Sequence, residues 1–280
     1  MKKITGILLS LVMCITALVS CGGDSDSIYV ICREASSGTR SAFVELLGIV
    51  DADGKDATIN TAEPTNSTAV MMTTVAGNEN AIGYISLGSL SDTVKALKLN
   101  GVEATVENVK NGTYALSRPF IIANKKDGLS SAASDFADYI MSAQGQKIIS
   151  DNGYITVSDN ASQYTASGIT GEISLVGSTS VGPVMEKLAE AYEALNPGVT
   201  INVTQNGSGT GIQSAMEGNC DFAMSSRELK DSEKAVLDPT VIANDGIAVI
   251  VNKSNSLDNI TSEQIKKIYL GEIKNWSEIG

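Results

Sequence analysis

Short runs of β-branched and aromatic residues alternate along this chain with stretches in which apolar residues recur every three or four positions. The runs "SIYVIC", "AIGYISLG", "RPFIIANK", "ISLVG", "TINVTQ", "CDFAMS" and "GIAVIVNK" read as strands. Between them, "SAFVELLG" sets Phe43, Leu46 and Leu47 on one side of a helix. "PVMEKLAEAYEALNPG" sets Val184, Leu188, Tyr192 and Leu195 on one stripe before an Asn-Pro-Gly stop. "TSEQIKKIYLG" opens on a capping box, Thr261 with Gln264, and closes on Gly271. "SAASDFADYIMSAQGQKIISDNG" predicts one longer helix that ends near Gly153. Such alternation predicts an α/β fold with largely parallel sheets, because a helix must carry the chain back before the next parallel strand can begin. Residues 159 to 171, "DNASQYTASGITG", are small and polar with no period, and read as a linker.

Four segments interrupt the apolar pattern in the same manner, a strand running into Gly, Ser and Thr and then a helix. They are "GSTSVGP" (177 to 183), "NGSGTGI" (206 to 212), "MSSREL" (224 to 229) and "REASSGTRSAF" (33 to 43). Small residues let the backbone curl so that N–H groups and hydroxyls converge, and a helix start leaves unpaired donors at that spot. A tetrahedral oxyanion is the matching guest. Any one of these stretches is ordinarily a turn with an N-cap; four together point to a shared site. Four helix N-termini at roughly +0.5 each, with one arginine, supply about +3 against roughly −2 for phosphate. Several charge-assisted hydrogen bonds at roughly 1.5–3 kcal/mol each exceed the about 8 kcal/mol that micromolar affinity needs, before ordering is subtracted. Arg40 and Arg227 read as ion pairs or helix-start contacts, and Trp276 and the methionines as core.

Composition narrows the partner. The 280 residues suffice for two lobes, and 20 Lys and Arg against 32 Asp and Glu leave a net charge of −12, which argues against a nucleic-acid partner. There is no histidine, so the commonest general base and zinc ligand are both absent, and neither metal nor cofactor is expected. The opening "MKKITGILLSLVMCITALVSCGG" has a basic start, an apolar run from Ile4 to Val19 and a cysteine among small residues, the layout of an export signal. "LVSC" resembles the bacterial lipobox, which implies lipidation at Cys21 after removal of residues 1–20; residues 21–27 then form a flexible tether. A plain cleaved signal or an uncleaved anchor is the alternative. Cys32 and Cys220 remain as the pair available for a disulfide in an exported protein, but Cys32 closes its strand at the end facing the serine- and glycine-rich turns while Cys220 opens another strand at the far end, which predicts two free thiols.

At this point the chain resembles the phosphate-binding lipoproteins of bacterial phosphate ABC importers. The matching pieces are "ISLVGSTSVGPVMEKLAEAY", "QNGSGTGI", "DFAMSSRELKDSEK", "IANDGIAVIVNKSN", "ITSEQIKKIYLGEIKNWSEIG", "VICREASSGTRSAF", "NENAIGYISLG" and "FADYIMSAQGQKIISDNGYI", nearly everything after Cys21. The resemblance implies a two-lobe type II periplasmic-binding-protein fold, with mixed, mostly parallel sheets and a two-strand hinge at 117–125 and 246–253. In the family the "GSTS" half precedes the "RExSSGTR"-like half; here the halves are exchanged, so the chain resembles a circular permutant whose old termini are joined by residues 159–171. A fragment of a longer tandem protein would give the same order, and the lipobox directly before the second half favours the permutant. One lobe is then expected over 28–118 plus 249–280, with Arg33 and the "SSGTR" loop. The other spans 119–248, with the "GSTS", "GSGTG" and "SSRE" loops.

By position, the resemblance implies an anion held by Ser178, Thr179, Ser180, Ser208 and Ser226 from one lobe and by Arg33, Ser37, Gly38 and Thr39 from the other. Some relatives carry aspartate where this chain has Ser226, which leaves selectivity against sulfate to another carboxylate, Glu34 or Asp245. The expected function is a monomeric, non-enzymatic solute-binding lipoprotein on the outer side of the cell membrane. Lipid alone would anchor it there, and it would deliver inorganic phosphate to an ABC permease. Two alternatives stay open: an oxyanion-binding sensor or adhesin on the same scaffold, and a phosphoester hydrolase using Thr179 or Ser180, which lacks a histidine or metal cluster to activate the hydroxyl.

Overall fold

The computed structural model of the chain describes residues 26–158 and 160–279. The expected signal, Cys21 and most of the tether lie outside the described residues, as does Asp159 of the linker.

A mixed sheet of ten strands runs through the molecule. Its main path sets Glu63–Thr65, Tyr29–Arg33, Ala81–Ser86, Leu237–Val251, Ser117–Lys125, Phe222–Ser225, Gly171–Gly177 and Val199–Gln205 side by side. Both flanks are parallel, with helices crossing between strands. The middle is antiparallel, where Leu237–Val251 pairs with Ala81–Ser86 and with Ser117–Lys125, and the latter with Phe222–Ser225. The sheet is therefore parallel only on its flanks, less so than the alternation of elements suggests. The two central strands connect one half of the molecule to the other instead of returning through a helix, so no crossover sets their direction.

Leu237–Val251 is a single strand of 15 residues, longer than its apolar run alone indicates. Residues 237–246 pair with Ser117–Lys125, and residues 247–251 pair with Ala81–Ser86. The two main cores lie to either side of that change of partner. One gathers apolar residues from 28–116, from 247–279 and Ile155, centred on Phe43, which stacks on Tyr84 at 3.9 Å and meets Tyr269 edge-on at 4.9 Å. The other gathers residues between 120 and 243, among them Phe136, Tyr139 and Tyr192. Each fully buried ring or aliphatic chain contributes roughly 1.5–3 kcal/mol. Two cores joined by two strands make a two-lobe fold.

The helices follow the apolar period with two differences. Phe43, Leu47, Val184, Leu188 and Tyr192 are buried, but Leu46 and Leu195 are 46% and 44% exposed. Each stands within the last two residues of its helix, where the period continues and the covering layer does not. The longer helix near residue 140 is two, Ser131–Met141 and Ala143–Asp151. Ser142 between them is extended, and its hydroxyl donates to Tyr139 O at 2.6 Å and accepts from Gly145 N at 3.2 Å. A Cβ on Gly145 would lie 2.3 Å from Tyr139 O, so this close helix-to-helix turn needs glycine. The capping box of Thr261 and Gln264 forms as read.

The first and last described residues are neighbours. Ile28 N donates to Lys274 O at 2.7 Å, Trp276 N donates to Asp26 O at 2.9 Å, and Ser27 bridges Asn275. Such adjacency is what an exchange of halves predicts for the point at which the chain is opened, the old termini being those that residues 159–171 would join. The joining segment is irregular but not loose: Tyr164 OH donates to Asp135 Oδ2 at 2.5 Å, and Gln144 bonds the Tyr164 backbone in both directions at 2.9 Å.

Candidate functional site

Five segments converge between the lobes. From one lobe, the strand Tyr29–Arg33 ends on Arg33, and Ser37 caps the helix Gly38–Leu47 by accepting from Arg40 N at 3.2 Å. From the same lobe, Ser67 caps the helix Thr68–Ala76. From the other, the strand Gly171–Gly177 turns at Ser178, whose hydroxyl accepts from Ser180 N and Val181 N at 3.2 and 3.3 Å, and leads to the helix Gly182–Leu195. The helix Ser208–Glu217 begins beside it, and Phe222–Ser225 delivers Ser226.

The two halves touch through polar groups. Arg33 Nη2 donates to Thr179 Oγ1 at 2.9 Å, Thr39 Oγ1 and Ser180 Oγ are 2.9 Å apart, and Thr68 Oγ1 lies 3.3 Å from Ser180 Oγ. Ser178 Oγ donates to Ser226 Oγ at 2.9 Å, and Ser226 N donates to Ser208 Oγ at 3.1 Å. Gly209 N donates across to Ser36 O at 2.8 Å. A Cβ on Gly38 would stand 2.2 Å from Ser208 Oγ and 2.8 Å from Ser226 Oγ, so the helix start can approach the opposite loops only without a side chain. The Gly38→Ala protein should therefore close incompletely and bind its anion at least about tenfold more weakly, a loss of about 1.4 kcal/mol. Titration calorimetry showing unchanged affinity would contradict this.

All nine residues named from the sequence lie in this one buried cluster, with Arg33 1% and Ser208 0% exposed. They are not equivalent. Ser37 spends its hydroxyl on its own helix, whereas Arg33, Thr39, Thr179 and Ser180 reach across the cleft. "MSSREL" departs from the expected design, because only a four-residue helix, Asp231–Lys234, follows it and does so five residues after Ser226. Thr68–Ala76 supplies the fourth helix start instead, through Thr68, which sequence reasoning missed. Its signal was Ser67-Thr68 ahead of the apolar "AVMMTTVAG", an ordinary N-cap pattern.

Of the two carboxylates considered, Glu34 grips Arg33, with Oε2 on Nε and Oε1 on Nη2, both at 2.8 Å. That fixes the guanidinium plane and offsets one positive charge, so the four helix starts and Arg33 present nearer +2 than +3. Asp245 does not line the cluster. It is fully buried and paired with Arg118, whose Nη2 and Nε lie 3.0 and 3.3 Å from Oδ2. Arg118 Nη1 also donates to Ser226 O at 3.2 Å, a role the sequence did not reveal beyond a cation inside an apolar strand. Burial pushes the Asp245 carboxyl above the ordinary aspartate value against the pull of Arg118, and draws Arg118 below its own against the pull of Asp245.

The remaining cations are structural. Arg40 pairs with Asp56 at 2.6 Å and donates to Arg33 O, while Arg227 pairs with Glu233 at 2.8 Å. Cys32 and Cys220 are free thiols, and burial raises the pKa of both. Trp276 packs against the first core.

A family model described as a PBP superfamily domain matches residues 21–144 and 162–280, and the chain belongs to that superfamily. It is 44% identical over 288 residues to "Phosphate-binding protein PstS 2" of Streptococcus agalactiae serotype V, covering 99% of this chain and 98% of that protein. It is also 44% identical over 273 residues to a protein of the same name from Streptococcus pneumoniae serotype 4, covering 94% of each. The crystal structure of a phosphate ABC transporter, phosphate-binding protein from Streptococcus pneumoniae TIGR4 superposes with a TM-score of 0.74 at 45% identity, over 91% of this chain and 100% of that one. Each sequence match runs through nearly all of both chains, so the exchanged order of halves is shared with these relatives.

Proposed function

We propose that the protein is an extracytoplasmic solute-binding lipoprotein that captures inorganic phosphate between its lobes and presents it to an ABC import permease. The observation that carries this reading is the meeting of Arg33 with Thr179, and of Thr39 with Ser180, each at 2.9 Å from opposite lobes. These groups bond one another in the structure; a tetrahedral dianion would replace several of those contacts and hold both lobes at once, which is the thermodynamic requirement for a clamp. The contacting set is Arg33, Ser37, Gly38 and Thr39 with Ser178, Thr179, Ser180, Ser208 and Ser226. The lobes divide as 28–118 plus 247–279 and 119–246, two residues before the expected break at 248/249, because Ile247 and Ala248 pair with Ala81–Ser86 and pack in the first core. The names of the relatives agree in ligand and in transport system.

The partners of Thr179 Oγ1 and Ser180 Oγ are hydroxyls and a guanidinium, none of which is a general base, so the geometry favours binding over hydrolysis. Calorimetric titration at neutral pH should give a micromolar or tighter Kd for inorganic phosphate; no heat change up to millimolar phosphate would remove the proposal. Membrane attachment is assigned to a lipid on Cys21. Among the described residues no helix is long and apolar enough to cross a membrane. Cys21→Ser should move the protein from the membrane fraction to the medium, and retention in the membrane fraction would rule the anchor out.

A further inference from the structure

Behind the hydroxyl cluster, and separated from it by Ser226 alone, stands the buried pair of Arg118 and Asp245. The two face each other on the central strands, next to the point where Leu237–Val251 passes from one lobe to the other. Arg118 directs Nη2 and Nε to Asp245 Oδ2, and its third nitrogen, Nη1, donates to Ser226 O at 3.2 Å. Ser226 joins the cluster through its other polar groups: its Oγ accepts from Ser178 Oγ at 2.9 Å, and its N donates to Ser208 Oγ at 3.1 Å. Asp245 is also anchored from the opposite lobe, where Gly88 N donates to Oδ1 at 3.4 Å.

This placement lets an anion in the cluster feel the charge of the pair. Ser226, Ser178 and Ser208 are all buried, so little water screens the path from Arg118, and a charge acts over it more strongly than at the surface. The two arginines already sense one another. Burial draws Arg118 below its ordinary value, and, against the pull of Asp245, the charge of Arg33 lowers it further. With the pair intact, the carboxylate cancels most of the attraction that the guanidinium would exert on an anion. What remains is its hold on the Ser226 carbonyl.

We infer that Arg118 is a positioning residue of the anion site, acting through Ser226, and that Asp245 limits the strength of binding by balancing its positive charge. The inference rests on the phosphate reading above. Two substitutions separate this role from a merely structural one. Asp245→Asn and Arg118→Met break the same ion pair, and both should lower the melting temperature, yet they should move the affinity in opposite directions. Asp245→Asn keeps the shape and an acceptor for Arg118 but leaves the guanidinium charge unbalanced behind the site. Its Kd for inorganic phosphate, read by titration calorimetry on the full chain, should fall by about threefold or more. Arg118→Met releases the Ser226 carbonyl and removes the cation, so its Kd should rise by about threefold or more. Both shifts should persist at high salt, because ions in solution screen a buried charge poorly. Each variant is decisive by itself if the other does not fold. From either one, a smaller shift, a shift in the opposite direction or one abolished by high salt would overturn the inference and leave the phosphate reading intact. Wild-type protein that binds no phosphate would remove both together.

Discussion

Arg33→Ala is expected to weaken phosphate binding by at least a hundredfold, about 3 kcal/mol. The guanidinium is 1% exposed, held flat by Glu34 and directed at Thr179 and Thr68. Its removal takes away one or two charge-assisted hydrogen bonds at roughly 1.5–3 kcal/mol each. It also releases the Glu34 carboxylate, which then faces the dianion with no cation between them. Arg33→Lys keeps the charge but loses the two-pronged contact with Glu34, and should fall between the wild type and alanine. Titration calorimetry decides the matter: an Arg33→Ala Kd within about threefold of the wild type would mean that the anion sits elsewhere.

The second large effect concerns stability. Asp245→Ala leaves the Arg118 guanidinium in the interior with no counter-charge, and breaking a buried pair from one side costs about 3–5 kcal/mol. The pair joins the two central strands, in which Asp245 stands opposite Arg118, so the loss should appear as a melting temperature lower by on the order of 10 °C. Replacing both partners with apolar residues should cost less than the single change, because no charge is then stranded. A loss below about 1 kcal/mol for Asp245→Ala would show that water or another group reaches Arg118. Phosphate affinity supplies a second readout, since Arg118 Nη1 also holds the carbonyl of Ser226.

Several features were legible because they depend on neighbours in sequence. The strand runs, the Thr261–Gln264 cap and the serine- and glycine-rich turns after strands are local consequences of residue type. The nine residues named for the anion were found through such turns and through resemblance, and they lie together. The break at Ser142 was harder to see, because the flanking sequence keeps a helical period and the turn depends on one close backbone contact at Gly145. Thr68 and Arg118 escaped for a different reason. Nothing nearby in sequence says that a threonine at an ordinary helix start faces Thr179, 111 positions away, or that an arginine in a strand meets Asp245, 127 positions away.

What the chain alone determined, then, is the succession of elements, the absence of histidine, the excess of negative charge and the small-residue turns that can surround an oxyanion. Those follow from side-chain size, hydrogen-bonding capacity and periodicity, which act over a few residues. The tertiary structure decided which helix start completes the cluster, that Glu34 faces Arg33 while Asp245 is taken by Arg118, and that the two ends of the described chain meet at Asp26 and Trp276. These contacts join residues far apart in sequence, and only the packing of two cores along one shared strand brings them within hydrogen-bond distance.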